Sequence, residues 1–210
     1  MTRIVIADDH AVVRKGLRLI LAGAEGIEIA GEAESADELL TFLRSGRADA
    51  VILDLSLGDR DGIEVLKHIR SEFDGIPVLM ISMHAEEIFA MRALRAGADG
   101  YIEKSAAPQT LCDAVRRVAS GGTWVSAAIA GRLKDGLARG ESHSLPHERL
   151  SDREFEIFRL LGAGKSVTEI ARSLNLSVKT VSTHRTHILT KTGLATNAEI
   201  VDYVTLNRLR

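Results

Sequence analysis

Short apolar runs alternate with stretches of helical period along the first 120 residues. Residues 3–7 read as a first strand, while residues 50–53, and residues 77–81 after their leading proline, carry apolar side chains without alternation. Such runs predict strands buried on both faces, as in the middle of a parallel sheet. Residues 27–33 alternate, which predicts a strand with one wetter face. Residues 100–103 make a short fifth strand. Between these runs the spacing predicts helices, carrying Val12, Val13, Leu17 and Leu21, then Leu39, Leu40 and Leu43. Further helices carry Val65, Leu66 and Ile69, then Ile88, Met91 and Leu94, and last Leu111, Val115 and Val118. Ser35 is an N-cap candidate with Glu38 three residues on, and Gly46 stands where that helix would end. Five strand–helix units predict an α/β fold: a doubly wound five-stranded parallel sheet with helices on both faces.

From residue 149 the period is purely helical. Ser151 and Glu154 form a capping-box pair. Phe155, Ile157, Phe158 and Leu161 follow as a stripe, then Ile170 and Ala171, then residues 178–191 with Val181, Ile188 and Leu189 inward, then Ile200, Val201 and Val204. Four short helices over residues 149–210 predict a second, all-α domain. Residues 123–148 are mostly polar with little period, although Ile129, Leu133 and Leu137 form a small amphipathic segment. They read as a linker between a first domain at 1–122 and the second. Trp124 is expected to pack at the end of the first domain.

Charge divides the two halves. Residues 1–125 hold 14 basic and 20 acidic side chains, while residues 150–210 hold 9 and 6. No acid falls between Glu169 and Glu199, where Arg172, Lys179, Arg185 and Lys191 all lie. Different partners are expected for the two domains. No apolar run approaches the roughly 18 residues of a membrane span. Cys112 is the only cysteine, which suits a reducing cytoplasm.

Candidate chemistry gathers at the strand ends. In a parallel sheet all carboxyl ends lie on one edge, and ligands bind beyond them. The first strand ends at Asp8 and Asp9, the third at Asp54, the fourth at Ser82 and the fifth runs into Lys104. Each residue alone has a local explanation as a turn, a cap or a solvated charge. Together at successive strand ends they suggest a site. Three clustered carboxylates favour a cation, and hard oxygen ligands with room for water suit Mg2+. A carboxylate beside a divalent ion, an ammonium and a hydroxyl can attack a phosphoryl donor and form an acyl phosphate. An aspartate-nucleophile phosphatase would share this cluster but needs an acid two residues after Asp54, where Ser56 stands.

These residues resemble those of two-component receiver domains over positions 1 to about 120. The resemblance implies phosphorylation of Asp54 by a sensor histidine kinase. Mg2+ would be held by Asp9, Asp54 and the backbone carbonyl of Ser56, with Asp8 acting through water. Ser82 and Tyr101 would move together as a switch. Ser105 stands where the family often has proline, which bears on the isomer of the preceding peptide. His84 occupies a position that varies with dephosphorylation rate.

Residues 167–191 fit a helix-turn-helix, with a turn at 174–177; a bundle that binds protein instead of DNA fits the same period. Residues 150–158, 164–171, 176–185 and 188–194 together resemble the LuxR-type domain. With a receiver in front, the chain is similar to NarL/FixJ-family response regulators. The resemblance implies a non-enzymatic cytoplasmic transcription regulator, working on double-stranded DNA and with RNA polymerase, and a homodimer on phosphorylation. The recognition helix would be 178–191. Lys179, Thr180, Arg185 and Lys191 are candidates for phosphate contacts, and Ser182, Thr183 and Thr186 occupy the base-reading positions. Those three are often basic in relatives, so readout here would rest on hydroxyls and methyl contacts. Thr192 replaces a usual leucine. The polar linker suggests that the unphosphorylated receiver masks the recognition helix.

Overall fold

The computed structural model describes residues 1–58, 60–83, 86–131, 145–207 and 209. The chain divides into two compact units, Met1–Gly140 and Glu141–Arg210.

The first unit is built on a five-stranded sheet. Its strands are β1 (Thr2–Ala7), β2 (Ile27–Ala33), β3 (Ala50–Asp54), β4 (Val78–Ser82) and β5 (Gly100–Glu103). They lie in the order β2-β1-β3-β4-β5, and every pairing is parallel. Helices α1 (Ala11–Ala22), α2 (Ala36–Arg44), α3 (Gly62–Glu72) and α4 (Glu86–Arg95) connect them, and α5 (Pro108–Ala119) follows β5. Ile4, Ile6, Ile52, Leu79, Ile81 and Ile102 form one core with Leu17 and Leu21 of α1 and Leu111, Val115 and Val118 of α5. Val5, Val51, Leu53 and Met80 alternate with them, so they face the other side, and they are buried too. Both faces are therefore covered, which is why β3 and β4 read as unbroken apolar runs. Edge strand β2 leaves Glu28 and Glu32 exposed, in line with its alternation.

Ser35 caps α2 by accepting from the Glu38 backbone N–H. The Glu38 carboxylate reaches back to the Glu34 N–H instead of to Ser35, so the box is only half formed. After β3, Ser56–Leu57 pairs antiparallel with Arg60–Asp61. Asp61 then caps α3 through the Ile63 N–H. Gly62 lies hard against the end of β3: a Cβ there would stand 2.3 Å from the Asp54 carbonyl oxygen and 2.7 Å from that of Leu55. These are backbone atoms that no rotamer can clear. Gly62→Ala is expected to cost about 3 kcal/mol, at the upper end for overpacking. Urea unfolding of the two proteins side by side tests this, and an unchanged midpoint would contradict it.

The sheet domain extends past residue 122. Trp124 bridges to Gly100, with Tyr101 N–H donating to the Trp124 carbonyl and Trp124 N–H to that of Asp99. Its side chain packs on the α1/α5 core, and residues 127–131 are helical. Polar flanks hide this attachment, because backbone pairing by one residue leaves no period. Leu133 and Leu137 lie outside the described residues.

The first described element of the second unit is a 3-10 turn at Pro146–Arg149, which overlaps the end of the stretch expected to be linker. His147 there is buried, hydrogen-bonded to the Tyr203 hydroxyl and stacked on Phe155. Helices α6 (Asp152–Gly162), α7 (Val167–Ser173), α8 (Val178–Thr192) and α9 (Asn197–Leu206) follow. Ser151–Glu154 and Ser166–Glu169 are full capping boxes, and Ser177 and Thr196 cap α8 and α9. Asn175 adopts a left-handed conformation (φ 53°) in the turn between α7 and α8, which Asn tolerates better than most residues. Val181 and Ile188 are buried, while Leu189 is only half-buried. Thr192 is buried instead, its hydroxyl donating to the Ile188 carbonyl at 2.7 Å. No helix among the described residues is long and apolar enough to cross a membrane.

Candidate functional site

Strand order reverses between β1 and β3, and that crevice receives the acids. Asp8, directly after β1, is fully buried. Its Oδ1 accepts from the His10 backbone N–H at 2.8 Å. Asp9 is exposed beside it. Asp54 ends β3 and is buried, as is Ser82 at the end of β4. Lys104 follows β5, and its backbone N–H donates to the Ser82 carbonyl at 2.7 Å. The Lys104 side chain, 7% exposed, places Nζ 2.6 Å from Asp8 Oδ2 and 2.7 Å from Asp54 Oδ2. The ammonium thus stands between the two buried carboxylates.

Burial pushes the Asp54 carboxyl up to about 6, with the Asp8 charge adding to it; Lys104 and the Ser56 backbone N–H pull the other way without prevailing. Burial also works against the Lys104 charge, but the two carboxylates outweigh it and hold the ammonium above its ordinary value. Asp54 is therefore a carboxylate short of positive charge, and one ammonium does not fully supply it.

Asp8, Asp9, His10 and Asp54 each offer a ligand atom, all within 4.8 Å of one another. His10 was not singled out from the sequence; its Nδ1 lies 2.7 Å from Asp9 Oδ1, and only its place next to the acid pair points to it. The donor set fits a hard divalent cation, since three carboxylates gather there and the ammonium reaches only Asp8 and Asp54. Tyr101 is fully buried within β5, and Ser56 lies two residues beyond Asp54 in the short antiparallel pair. No cis peptide occurs among the described residues, so Lys104–Ser105 is trans. His84 lies outside the described residues.

The helical unit sorts the other candidates into two groups. Lys179, Ser182, Thr183 and Thr186 of α8 are exposed. The Thr183 and Thr186 hydroxyls donate to the carbonyls of Lys179 and Ser182, so outward they present acceptor lone pairs and methyl groups. Thr180 is half-buried, and its hydroxyl pairs with that of Ser177. Arg185 and Lys191 are paired within the domain instead. Arg185 Nε donates to Asn197 Oδ1 at 2.6 Å, and Lys191 Nζ donates to Glu154 Oε2 at 2.7 Å. Glu154 is buried at the start of α6 and also accepts from the Ser151 N–H. Charge alone could not distinguish these two basic residues from Lys179.

Comparison with known proteins is consistent across the chain. Residues 4–116 match the response regulator receiver domain model, and residues 148–204 match that of the luxR family of bacterial regulatory proteins. The oxygen regulatory protein NreC of Staphylococcus haemolyticus is 36% identical, over 99% of this chain and 98% of that protein. The response regulator UvrY of Escherichia coli is 32% identical, over 95% and 92%. Among solved structures, RcsB from Salmonella enterica serovar Typhimurium, bound to promoter rprA in the presence of phosphomimetic BeF3-, is similar at 29% identity and a TM-score of 0.61, covering 97% of this chain and 98% of that one.

Proposed function

Because the chain belongs to the response regulators that join a receiver to a LuxR-type DNA-binding domain, we propose that Asp54 accepts a phosphoryl group from a sensor histidine kinase and that this event controls DNA binding. The supporting observation is the buried pair of Asp8 and Asp54 around the Lys104 ammonium at the carboxyl edge of the sheet.

An Asp54 oxygen attacks phosphorus as the bond from phosphorus to the donor imidazole breaks, and the imidazole leaves with a proton. Asp8, Asp9 and Asp54, with the Ser56 carbonyl, would hold Mg2+, which supplies charge neutralisation to the transferring phosphoryl oxygens. Lys104 bonds to one of those oxygens in place of an Asp54 oxygen. Ser82 binds another, and Tyr101 follows it as the switch. The protein turns over no substrate of its own and works in the cytoplasm. Acetyl phosphate with Mg2+ tests the reading by intact-mass spectrometry. An added phosphoryl group, labile to hydroxylamine as an acyl phosphate is, supports it. An unmodified mass overturns it.

In the second domain, α8 lies in the major groove of double-stranded DNA. Lys179 and Thr180 contact phosphate, while Ser182, Thr183 and Thr186 meet base edges through hydroxyl acceptors and methyl groups. Arg185 and Lys191 keep further donors for phosphate beside their bonds to Asn197 and Glu154. Readout without a bidentate side chain is weak for one copy, so a phosphorylation-favoured homodimer on paired half-sites supplies the affinity and presents the complex to RNA polymerase. Lys179→Ala is expected to weaken binding alike on all sequences and to lower the slope of log affinity against log salt by about 1. Fluorescence anisotropy across a salt series measures this, and an unchanged slope would remove Lys179 from the phosphate contacts.

A further inference from the structure

Arg14 is a charged residue on α1 that packs inward. Its side chain is only 6% exposed. Nη1 donates to the Asp8 backbone carbonyl at 2.7 Å. Nη2 pairs with Glu34 just beyond β2, and Nε lies 3.6 Å from Glu32 on β2. The guanidinium therefore joins three elements: the end of β1, the first turn of α1 and the end of β2.

A buried guanidinium is costly unless its donors are used. Here one is spent on the backbone of the first acid in the pocket. The Asp8 carbonyl lies between the buried carboxylate of Asp8 and the exposed carboxylate of Asp9. The turn that follows is short, with the His10 N–H already bound to Asp8 Oδ1 and the Arg14 N–H bound to the His10 carbonyl. From outside the turn, the Asp8 N–H donates to the Ala33 carbonyl at 3.2 Å and Lys104 Nζ holds Asp8 Oδ2. Arg14 supplies the side-chain donor to the Asp8 carbonyl, the peptide that links the two acids. Its partners Glu32 and Glu34 fix its own position in turn.

We infer that Arg14 is a positioning residue for the acidic pocket, acting through the Asp8 backbone to set the geometry in which Asp8 and Asp9 meet a divalent cation. This rests on the reading of the pocket as the Mg2+ site. Arg14 touches neither the cation nor the phosphoryl group, so its loss bears on cation affinity and spares the transfer step once the cation is bound. Lysine at this position can reach the Asp8 carbonyl or the β2 acids, but not both.

The test uses full-length wild type, Arg14→Met and Arg14→Lys, each checked for folding by circular dichroism. Mg2+ binding is measured by titration calorimetry, and phosphorylation by acetyl phosphate is followed over a Mg2+ series. Arg14→Met is expected to weaken Mg2+ binding by about 10-fold or more, the range for an outer-shell partner, with Arg14→Lys between it and wild type. The rate at saturating Mg2+ should stay close to that of wild type. Affinity unchanged in Arg14→Lys and in any folded Arg14→Met protein overturns the inference. So does a lowered saturating rate with unchanged affinity. Should Arg14→Met fail to fold, Arg14→Lys alone decides by the same two readings. A wild-type chain that binds no Mg2+ overturns the reading of the pocket itself.

Discussion

Asp54→Asn is expected to take no phosphoryl group from acetyl phosphate and to be more stable than wild type at pH 7 in buffer free of divalent ions. An amide is no nucleophile here, so the first loss should be complete. The gain in stability follows from Asp54, whose carboxyl is raised from 3.8 to about 6, first by burial and then by Asp8. The folded state prefers the neutral acid, so the associated stability is full below pH 3.8 and is lost as pH rises through about 6. Ionised Asp54 then costs at most about 3 kcal/mol, and the amide removes that cost. Urea unfolding should show a gap between the two proteins at pH 7 that narrows towards pH 4. Equal stability across that range would show that the pocket stores no such cost. Added Mg2+ should close the gap from the wild-type side.

The second large effect falls on the helical domain. Glu154→Ala removes the carboxylate that accepts from the Ser151 N–H and from Lys191. A lost cap and a lost charged hydrogen bond together amount to about 3 kcal/mol. Burial pushes the Glu154 carboxyl up, but the bonds from Lys191 and Ser151 outweigh it and hold the group below its ordinary value. The stability it contributes is therefore present above pH 4.5 and lost as pH falls below it. The two domains thus respond to acid in opposite senses through these residues. Hydrogen exchange over residues 150–207 should show faster opening in Glu154→Ala at pH 7, with little change in the sheet domain. Unchanged protection would mean that the capping box and Lys191 are dispensable.

The strand ends were legible because each one closes an apolar run. Asp54, Ser82 and Lys104 could be placed on one edge from the order of runs alone, and Asp8 and Asp9 likewise. The side-chain partners were less legible. Glu154 was legible as the capping-box partner of Ser151, but not its burial or its bond to Lys191, and Arg14 has the period of an ordinary amphipathic helix, where a charge reads as solvated. Only the tertiary packing of β2 on α1, and of α8 on α6, buries them. Lys191 reads as a candidate phosphate contact, and the sequence does not show that it pairs with Glu154. Trp124 packs at the end of the first domain as expected, but its backbone bridge to Gly100, and the bond of His147 to Tyr203, join polar sequence to distant residues. Such contacts leave no local period to read.

Control of DNA binding by Asp54 is tested most directly by recovering genomic fragments on purified full-length protein with and without acetyl phosphate, for wild type and Asp54→Asn in parallel at one fixed salt concentration. Phosphorylation is expected to raise wild-type affinity for the recovered sites by about tenfold, within the usual range of coupling between two sites, and to leave Asp54→Asn unchanged. Equal affinity of the treated wild type and the treated Asp54→Asn protein would contradict the account.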